Sequence, residues 1–346
     1  MKPKILITIP EGSATQEFLP QFVRDRLEEV GDIEYYNPPE KDFDLDILRE
    51  KLKEKVAVFT AGGSPKFDER VLAGNDTLKV LVHAGGSVAS VVSDYLYDSG
   101  IKVMSGNNAF AESVAESVIA YALTALRKIP DYNSLVKGGG WKKGWDEHKN
   151  EGLLEQKIGL VDYGSVARHL VRMLKPFRNE ILVYSSYITD EEIKQNGMRR
   201  ATLEEIFSEC KIISIHSALT EANIHLVTRE LMELIRPDAL LINTARGLVI
   251  DEEAMTDLLA QNRFRAVLDV FEVEPLPLES RLRSLDNVYL IPHMGGPTFD
   301  RYPMVTMGLI NDLLHFLDGE KVPSEITKEH FKNMTSHAVA MRGRKA

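Results

Sequence analysis

The sequence predicts an α/β protein of two domains, a doubly wound parallel sheet inserted in a smaller α/β domain. Short β-branched runs alternate with helix-period segments along almost the whole chain. The runs in the second half are near-continuously apolar, as strands are when both faces of a parallel sheet are covered. Finally, 346 residues with 44% hydrophobic side chains exceed one ordinary core and suffice for two.

Taken in order, KILITI near the start, VAVFTA at 56–61 and LKVLVHA at 78–84 are strands, each closed by Gly, Pro or polar residues. The segment ESVAESVIAYALTALRKI, from 112, has apolar residues at spacings of three and four and neither Gly nor Pro. That pattern predicts a long, largely buried helix ending at Pro130. KGGGWKKGW at 137–145 predicts a loop whose tryptophans pack either on their own domain or on a neighbouring subunit. A second rhythm runs through KIGLVDYG, EILVYSS, CKIISIHSAL, DALLINTA, FRAVLDVFE and NVYLIPHMGG, with amphipathic helices between. The doubly wound domain is therefore placed at 106–296 and the smaller domain at 1–105 and 297–346. A helix from Tyr302 to about Leu317 returns the chain to the smaller domain, and the last dozen residues, with RGRK, predict a frayed end.

Composition excludes several function classes. Lys+Arg 42 against Asp+Glu 52 gives a formal net charge of −10 with no basic block long enough to track a phosphate backbone, so nucleic acid is not an expected partner. The one cysteine, Cys210, has no internal disulfide partner, and the apolar run in MKPKILITIPEG is too short for a signal peptide. No later stretch approaches the roughly 18 uninterrupted apolar residues of a membrane span. The expectation is a soluble, cytoplasmic protein. His216 and His225 make no recognised ligand spacing with carboxylates or Cys210, which argues against a metal-dependent hydrolase.

LVDYGSVARHL at 160–170 is a strand end, a glycine turn and a helix start. In such turns the first glycine permits a tight bend, the second lets the backbone approach a pyrophosphate, and the third lets helix pack on strand. The three positions are Asp162, Gly164 and Ala167. Gly164 keeps the close approach, Ala167 is small, and the backbone N–H groups of Ser165 and Val166 open a helix N-terminus that favours an anion. The Asp162 carboxylate would repel a pyrophosphate unless it points aside, is neutralised by a cation such as Arg168, or accepts hydrogen bonds from the turn. The acid expected about 20 residues on, for the adenosine ribose, is replaced by Ser185. No Arg or Lys follows immediately, and Asp190, Glu191 and Glu192 would oppose a 2′-phosphate, so the balance leans to NAD over NADP.

Arg246 in LLINTARG, Asp269 and Glu274 in LDVFEVEP, and His293 in LIPHMGG follow strand ends, where open α/β sheets bind ligands. Arg can grip a carboxylate in a fork of two hydrogen bonds and polarise an adjacent carbonyl. His can take or give a hydroxyl proton, with a nearby carboxylate stabilising its protonated form. Together they suit hydride transfer to a 2-oxo acid.

LKVLVHAGGSV, VAES, KIGLVDYGSVARHLVRMLKPF, LLINTARGLVIDEEAM, LDVFEVEPLP and NVYLIPHMGG together resemble the D-isomer-specific 2-hydroxyacid dehydrogenase family over most of the chain. The resemblance implies a Rossmann-type domain inserted in a flavodoxin-like one, a substrate cleft between them, and a homodimer built through the nucleotide domain with the 112–129 helix and tryptophan loop at its interface. It also implies that Arg246 binds substrate, Glu274 is the partner carboxylate and His293 the acid/base. Asp269 would hold the nicotinamide amide, with Thr244, Ala245, Ser217 and Gly295 lining the cofactor. Gly85, Gly86 and Ser87 would offer N–H groups to the substrate carboxylate. Glu272 competes with Glu274, but the family pattern puts the acid directly before proline. Phe110 stands where the family commonly has asparagine, and AGGSVASVVS replaces its usual acids, so substrate identity stays open. Asp162 and Ser185 motivate an alternative: a catalytically silent relative acting as a nucleotide or metabolite sensor, or as a platform for a protein partner.

Overall fold

The computed structural model describes residues 2–141, 150–332 and 334. The chain divides into two compact units, Met1–Ala111 with Pro297–His337, and Glu112–Gly296.

The first unit is built on β1 (Lys4–Ile7), β2 (Asp32–Tyr35), β3 (Ala57–Thr60), β4 (Val80–His83) and β5 (Lys102–Ser105), all parallel, in the order β2-β1-β3-β4-β5. This is the flavodoxin-like order. Alternate residues feed two cores. Ile5, Ile7, Val80 and Val82 pack with Leu309, Ile310 and Leu313 of the helix Tyr302–Leu317, while Leu6, Val58, Leu81 and Val103 pack on the other face. β2 and β5 close the two edges of the sheet. Their sequences, DIEY and KVMS, begin with exposed charged residues and carry too few apolar positions to stand out as strands.

The second unit contains β6 (Lys157–Val161), β7 (Glu180–Tyr184), β8 (Arg199–Arg200), β9 (Ile212–Ile215), β10 (Leu240–Asn243), β11 (Arg265–Leu268) and β12 (Val288–Leu290). Their order, β12-β11-β10-β9-β6-β7-β8, reverses direction between β6 and β9, the switch point where a doubly wound sheet opens a crevice. Parallel register sets Leu290, Leu268, Asn243, Ile215, Val161 and Tyr184 in one paired row. Residues that follow these tips therefore emerge along a single edge. Buried clusters cover both faces, which is why β9 and β10 are buried throughout.

The predicted helix from 112 differs in two respects. It spans Asn107–Arg127, where Lys128 takes a left-handed φ of 52°, and Pro130 lies in the first turn of a separate helix, Ile129–Lys137. A proline lacks only an N–H that the first turn leaves unbonded, so it opens this helix instead of ending the previous one. Its burial is one-sided: Ala115, Val118, Ala122, Ala125 and Leu126 enter the core beside Leu160 and Leu170, while Glu116 and Ala120 are exposed. By length and composition it is apolar enough to cross a membrane, yet this core packing is what its apolar face does here. Of the tryptophan loop, residues 142–145 fall outside the described residues, while Trp141 is exposed; the RGRK segment lies outside them altogether.

Candidate active site

The turn after β10 is shaped by Asn243, a buried residue at the strand tip. Its Oδ1 accepts from Ala245 N at 3.0 Å, and its Nδ2 donates to the carbonyl of Arg246 at 3.0 Å, so one amide side chain folds the TARG turn. Arg246 is half-buried, one of its guanidinium nitrogens donating to the Ala245 carbonyl at 2.5 Å. Gly247 then presses on the neighbouring loop: a Cβ there would overlap the carbonyl of Phe271 and the amide nitrogen of Glu272. The turn bearing Arg246 thus rests directly on the loop bearing Glu274.

That loop follows β11. Glu274 Oε1 accepts from Phe271 N at 3.1 Å, and its Oε2 lies 2.7 Å from His293 Nδ1. The carboxylate is anchored by its own loop on one side and orients the imidazole with the other. His293 sits after β12 at a left-handed φ of 54°, a conformation that costs energy for a residue with a Cβ and that is common where function dictates geometry. Asp269, 2% exposed, secures the far side of the same segment by accepting from Met294 N at 2.7 Å and Gly295 N at 2.8 Å. Burial raises its carboxyl above the ordinary carboxylate value, and those two amides oppose the rise. A Cβ on Gly295 would stand 2.6 Å from Asp269 Oδ2, so any side chain there would have to push that carboxylate aside.

Glu272, the competitor, has another partner. Its Oε1 lies 2.9 Å from His225 Nε2 and accepts from Glu252 N at 3.2 Å, while Glu272 N donates to Glu252 Oε2 at 2.8 Å. His225 in turn donates its backbone N–H to Leu248 O at 2.8 Å. This cluster clamps three loops together: the one after β9, the TARG turn and the one after β11. Burial raises the Glu252 carboxyl, with the carboxylates of Glu272 and Glu274 adding to the rise. Sequence reasoning passes over Gly247, Glu252 and His225, since each acts through a partner remote in the chain, and over Asn243, whose amide works locally within the TARG turn.

At the glycine turn, Gly164 caps the helix Ser165–Leu174 without a side-chain cap, and nothing stands within 4 Å of where its Cβ would be. The space beside the helix N-terminus, which begins with Ser165 and Val166, is open as a bound pyrophosphate requires. The Asp162 carboxylate is engaged by hydrogen bonds. Its Oδ1 accepts from Tyr163 N at 3.2 Å and from Ser185 Oγ at 3.0 Å. Arg168 is not its counter-ion: it pairs with Glu192 and lies 4.9 Å from the centroid of the Tyr163 ring. Ser217, buried after β9, directs its hydroxyl to Val161 O at 3.5 Å, and Thr244 and Ala245 are half-buried in the Asn243 turn.

In the first unit, the loop Gly85–Ser87 follows β4. Ser105 Oγ lies 3.0 Å and 2.7 Å from the carbonyl oxygens of Gly85 and Gly86, and a Cβ on Gly85 would overlap His83 Nε2. Beneath the loop, the buried His83 has Nδ1 3.0 Å from Thr60 Oγ1. Phe110 packs against Gly86 and joins Phe18 and Tyr302 in an aromatic cluster, an apolar wall where an asparagine would have offered an amide.

Burial pushes the His83 imidazole down to about 4, opposed by a backbone hydrogen bond with Ser87, and likewise pushes His216 down to about 4. Folded imidazoles with lowered pKa bind protons less readily than unfolded ones, so stability is full above the ordinary imidazole value of 6.5 and is lost as pH falls toward 4. His83 alone should remove on the order of 3 kcal/mol across that window. Urea unfolding at pH 7 and pH 4.5 should show the loss; equal midpoints would refute it.

The profile of the family described as D-isomer specific 2-hydroxyacid dehydrogenase, NAD binding domain, matches residues 119–295. Over 337 residues the chain is 29% identical to a glyoxylate reductase of Thermococcus litoralis, covering 95% of this chain and 98% of that one. It is 30% identical over 266 residues to a hydroxypyruvate reductase of Thermotoga maritima, covering 76% of this chain and 85% of that one. A phosphoglycerate oxidoreductase from Rhizobium etli shares the fold, with a TM-score of 0.80 at 22% identity over 94% of this chain and 99% of that one. The chain belongs to the D-isomer specific 2-hydroxyacid dehydrogenase family. It is an oxidoreductase that uses a nicotinamide cofactor.

Proposed function

We propose that the chain interconverts a small 2-oxo acid and its D-2-hydroxy acid, with His293 as acid/base, Glu274 as its partner and Arg246 as the substrate-binding cation. The observation that carries this reading is the 2.7 Å pairing of His293 Nδ1 with Glu274 Oε2. It leaves Nε2 as the ring nitrogen to serve the reacting oxygen, with a fixed carboxylate to offset the charge of the protonated imidazole. In the direction of reduction, His293 gives its proton to the substrate carbonyl oxygen as the adjacent carbon gains a hydride, and Arg246 holds the carboxylate and polarises that carbonyl. The bound nicotinamide supplies the hydride. The family resemblance supports Gly85, Gly86 and Ser87 as further substrate-binding residues.

For the cofactor, Gly164, Ser165 and Val166 are assigned to the pyrophosphate and Ser185 to the adenosine ribose. Thr244, Ala245, Ser217, Asp269 and Gly295 are assigned to the nicotinamide end. The cofactor preferred is NAD. The family resemblance supports a homodimer, with the helix from 112 and the tryptophan loop as its interface.

Absorbance assays of NADH and NADPH oxidation against a panel that includes glyoxylate and hydroxypyruvate test the reading. Turnover of at least one 2-oxo acid is expected. Cofactor binding with no turnover across the panel would instead favour the silent relative.

A further inference from the structure

We propose that Asp162 and Ser185 act as one reader of the adenosine ribose, the carboxylate being supplied from the end of β6 instead of the end of β7, and that this pair makes the site select NADH over NADPH. The inference deepens the cofactor assignment above and rests on it.

A dinucleotide fold ordinarily meets the ribose hydroxyls with an acid at the tip of its second strand. Here that tip is followed by Ser185, which is buried and carries no charge. The preceding strand is followed by Asp162 at a φ of 76°, a conformation glycine adopts freely and an L side chain adopts at a cost. Val161 and Tyr184 pair in register, so the residues just past them are neighbours. Asp162 N donates to Tyr184 O at 2.7 Å, and Ser185 Oγ donates to Asp162 Oδ1 at 3.0 Å. Two departures from the usual fingerprint are therefore bonded to each other.

The bonding pattern says which atom is offered. Oδ1 accepts twice, from Ser185 Oγ and from Tyr163 N, and Ser185 Oγ itself accepts from Tyr187 N at 3.2 Å. Among the described residues, Oδ2 of Asp162 accepts no hydrogen bond, so it is the oxygen left for a ribose hydroxyl. A cavity of about 320 Å³ opens at Ser185, lined also by Tyr184, Arg200, Thr202, Leu203 and Glu204, and gives the adenosine a place to lie.

Arg200 is the group that could welcome a 2′-phosphate. Its guanidinium instead donates to Ser185 O at 3.2 Å, Ile188 O at 3.0 Å and Asp190 Oδ1 at 2.8 Å, so it ties down the loop after β7 with its charge offset by an acid. Arg168 is similarly paired with Glu192. A 2′-hydroxyl would donate to the Asp162 carboxylate, whereas a 2′-phosphate would meet it charge against charge.

Fluorescence titration of NADH and NADPH against the wild-type chain, D162G, and the relocation variant D162G/S185D tests this. The wild type should bind NADH more tightly than NADPH. D162G should weaken NADH by about tenfold or more, the loss of one hydrogen bond to a charged acceptor, and narrow the discrimination by a similar factor. The relocation variant should restore both. Because glycine relieves the left-handed backbone at 162 and so offsets the hydrogen bonds lost with the carboxylate, D162G should stay folded with a cooperative melt close to that of the wild type, which separates a lost contact from a damaged fold. NADH bound as tightly or more tightly by D162G would make the acid an obstruction and overturn the proposal, as would a wild type that prefers NADPH. A wild type with the expected discrimination that turns over no 2-oxo acid would leave the ribose assignment standing while refuting the hydride-transfer reading.

Discussion

Replacing His293 with Gln is expected to lower kcat by about 10²- to 10⁴-fold while NADH affinity stays nearly unchanged. Gln preserves a polar side chain of similar reach that can still donate to Glu274, whose Oε2 lies 2.7 Å from the imidazole, but it cannot carry the proton that the reaction moves. The Asp269 bonds to Met294 N and Gly295 N are backbone contacts that the substitution leaves in place, so the segment should keep its course. Steady-state rates with the best 2-oxo acid, set beside NADH titration, check both halves. An active variant would remove His293 from the chemistry. Loss of NADH binding in step with activity would mean that the variant had disturbed the pocket.

Gly247→Ala should be nearly as damaging by a different route. The added methyl would overlap the main chain of Phe271 and Glu272, atoms that cannot rotate aside as the end of a side chain can. Relief requires the TARG turn and the loop bearing Glu274 to part. A displacement of about 1 Å at a catalytic group can cost on the order of 10²-fold in rate, and overpacking typically costs about 1–3 kcal/mol of stability. The variant should therefore show a lower melting temperature and a depressed kcat/KM together, with the turn at Gly164 unaffected. Wild-type kinetics from this variant would show that the close approach is not needed for assembly of the site.

The doubly wound sheet was legible in the chain because burial on both faces leaves β9 and β10 without a polar stripe. TARG, EVEP and PH were legible as a set because each follows such a strand. The edges were not: β8 is two arginines, and β2 carries two acids, so neither has an apolar run to recognise. Partnership was harder still. Glu272 belongs with His225, 47 residues earlier, and Asp162 with Ser185, 23 residues later. Such pairs depend on which strands lie side by side and in what register, and periodicity along one segment carries no such information. The choice of Glu274 over Glu272 rests on a family pattern; in the structure Glu274 pairs with His293, and Glu272 pairs with His225.

The paired row of strand ends also governs how this scaffold can diversify. One residue added inside β10 would advance everything after it by about 3.3 Å and swap which side of the sheet each following side chain faces. The TARG turn would then leave its seat on the loop after β11, where Gly247 now meets Phe271 and Glu272. Length variation confined to the connections at the opposite, amino-terminal margin of the sheet imposes no such shift. Descendants of this chain can therefore gain or lose residues there freely, whereas an insertion within a strand would undo the alignment on which all the tip-borne groups depend.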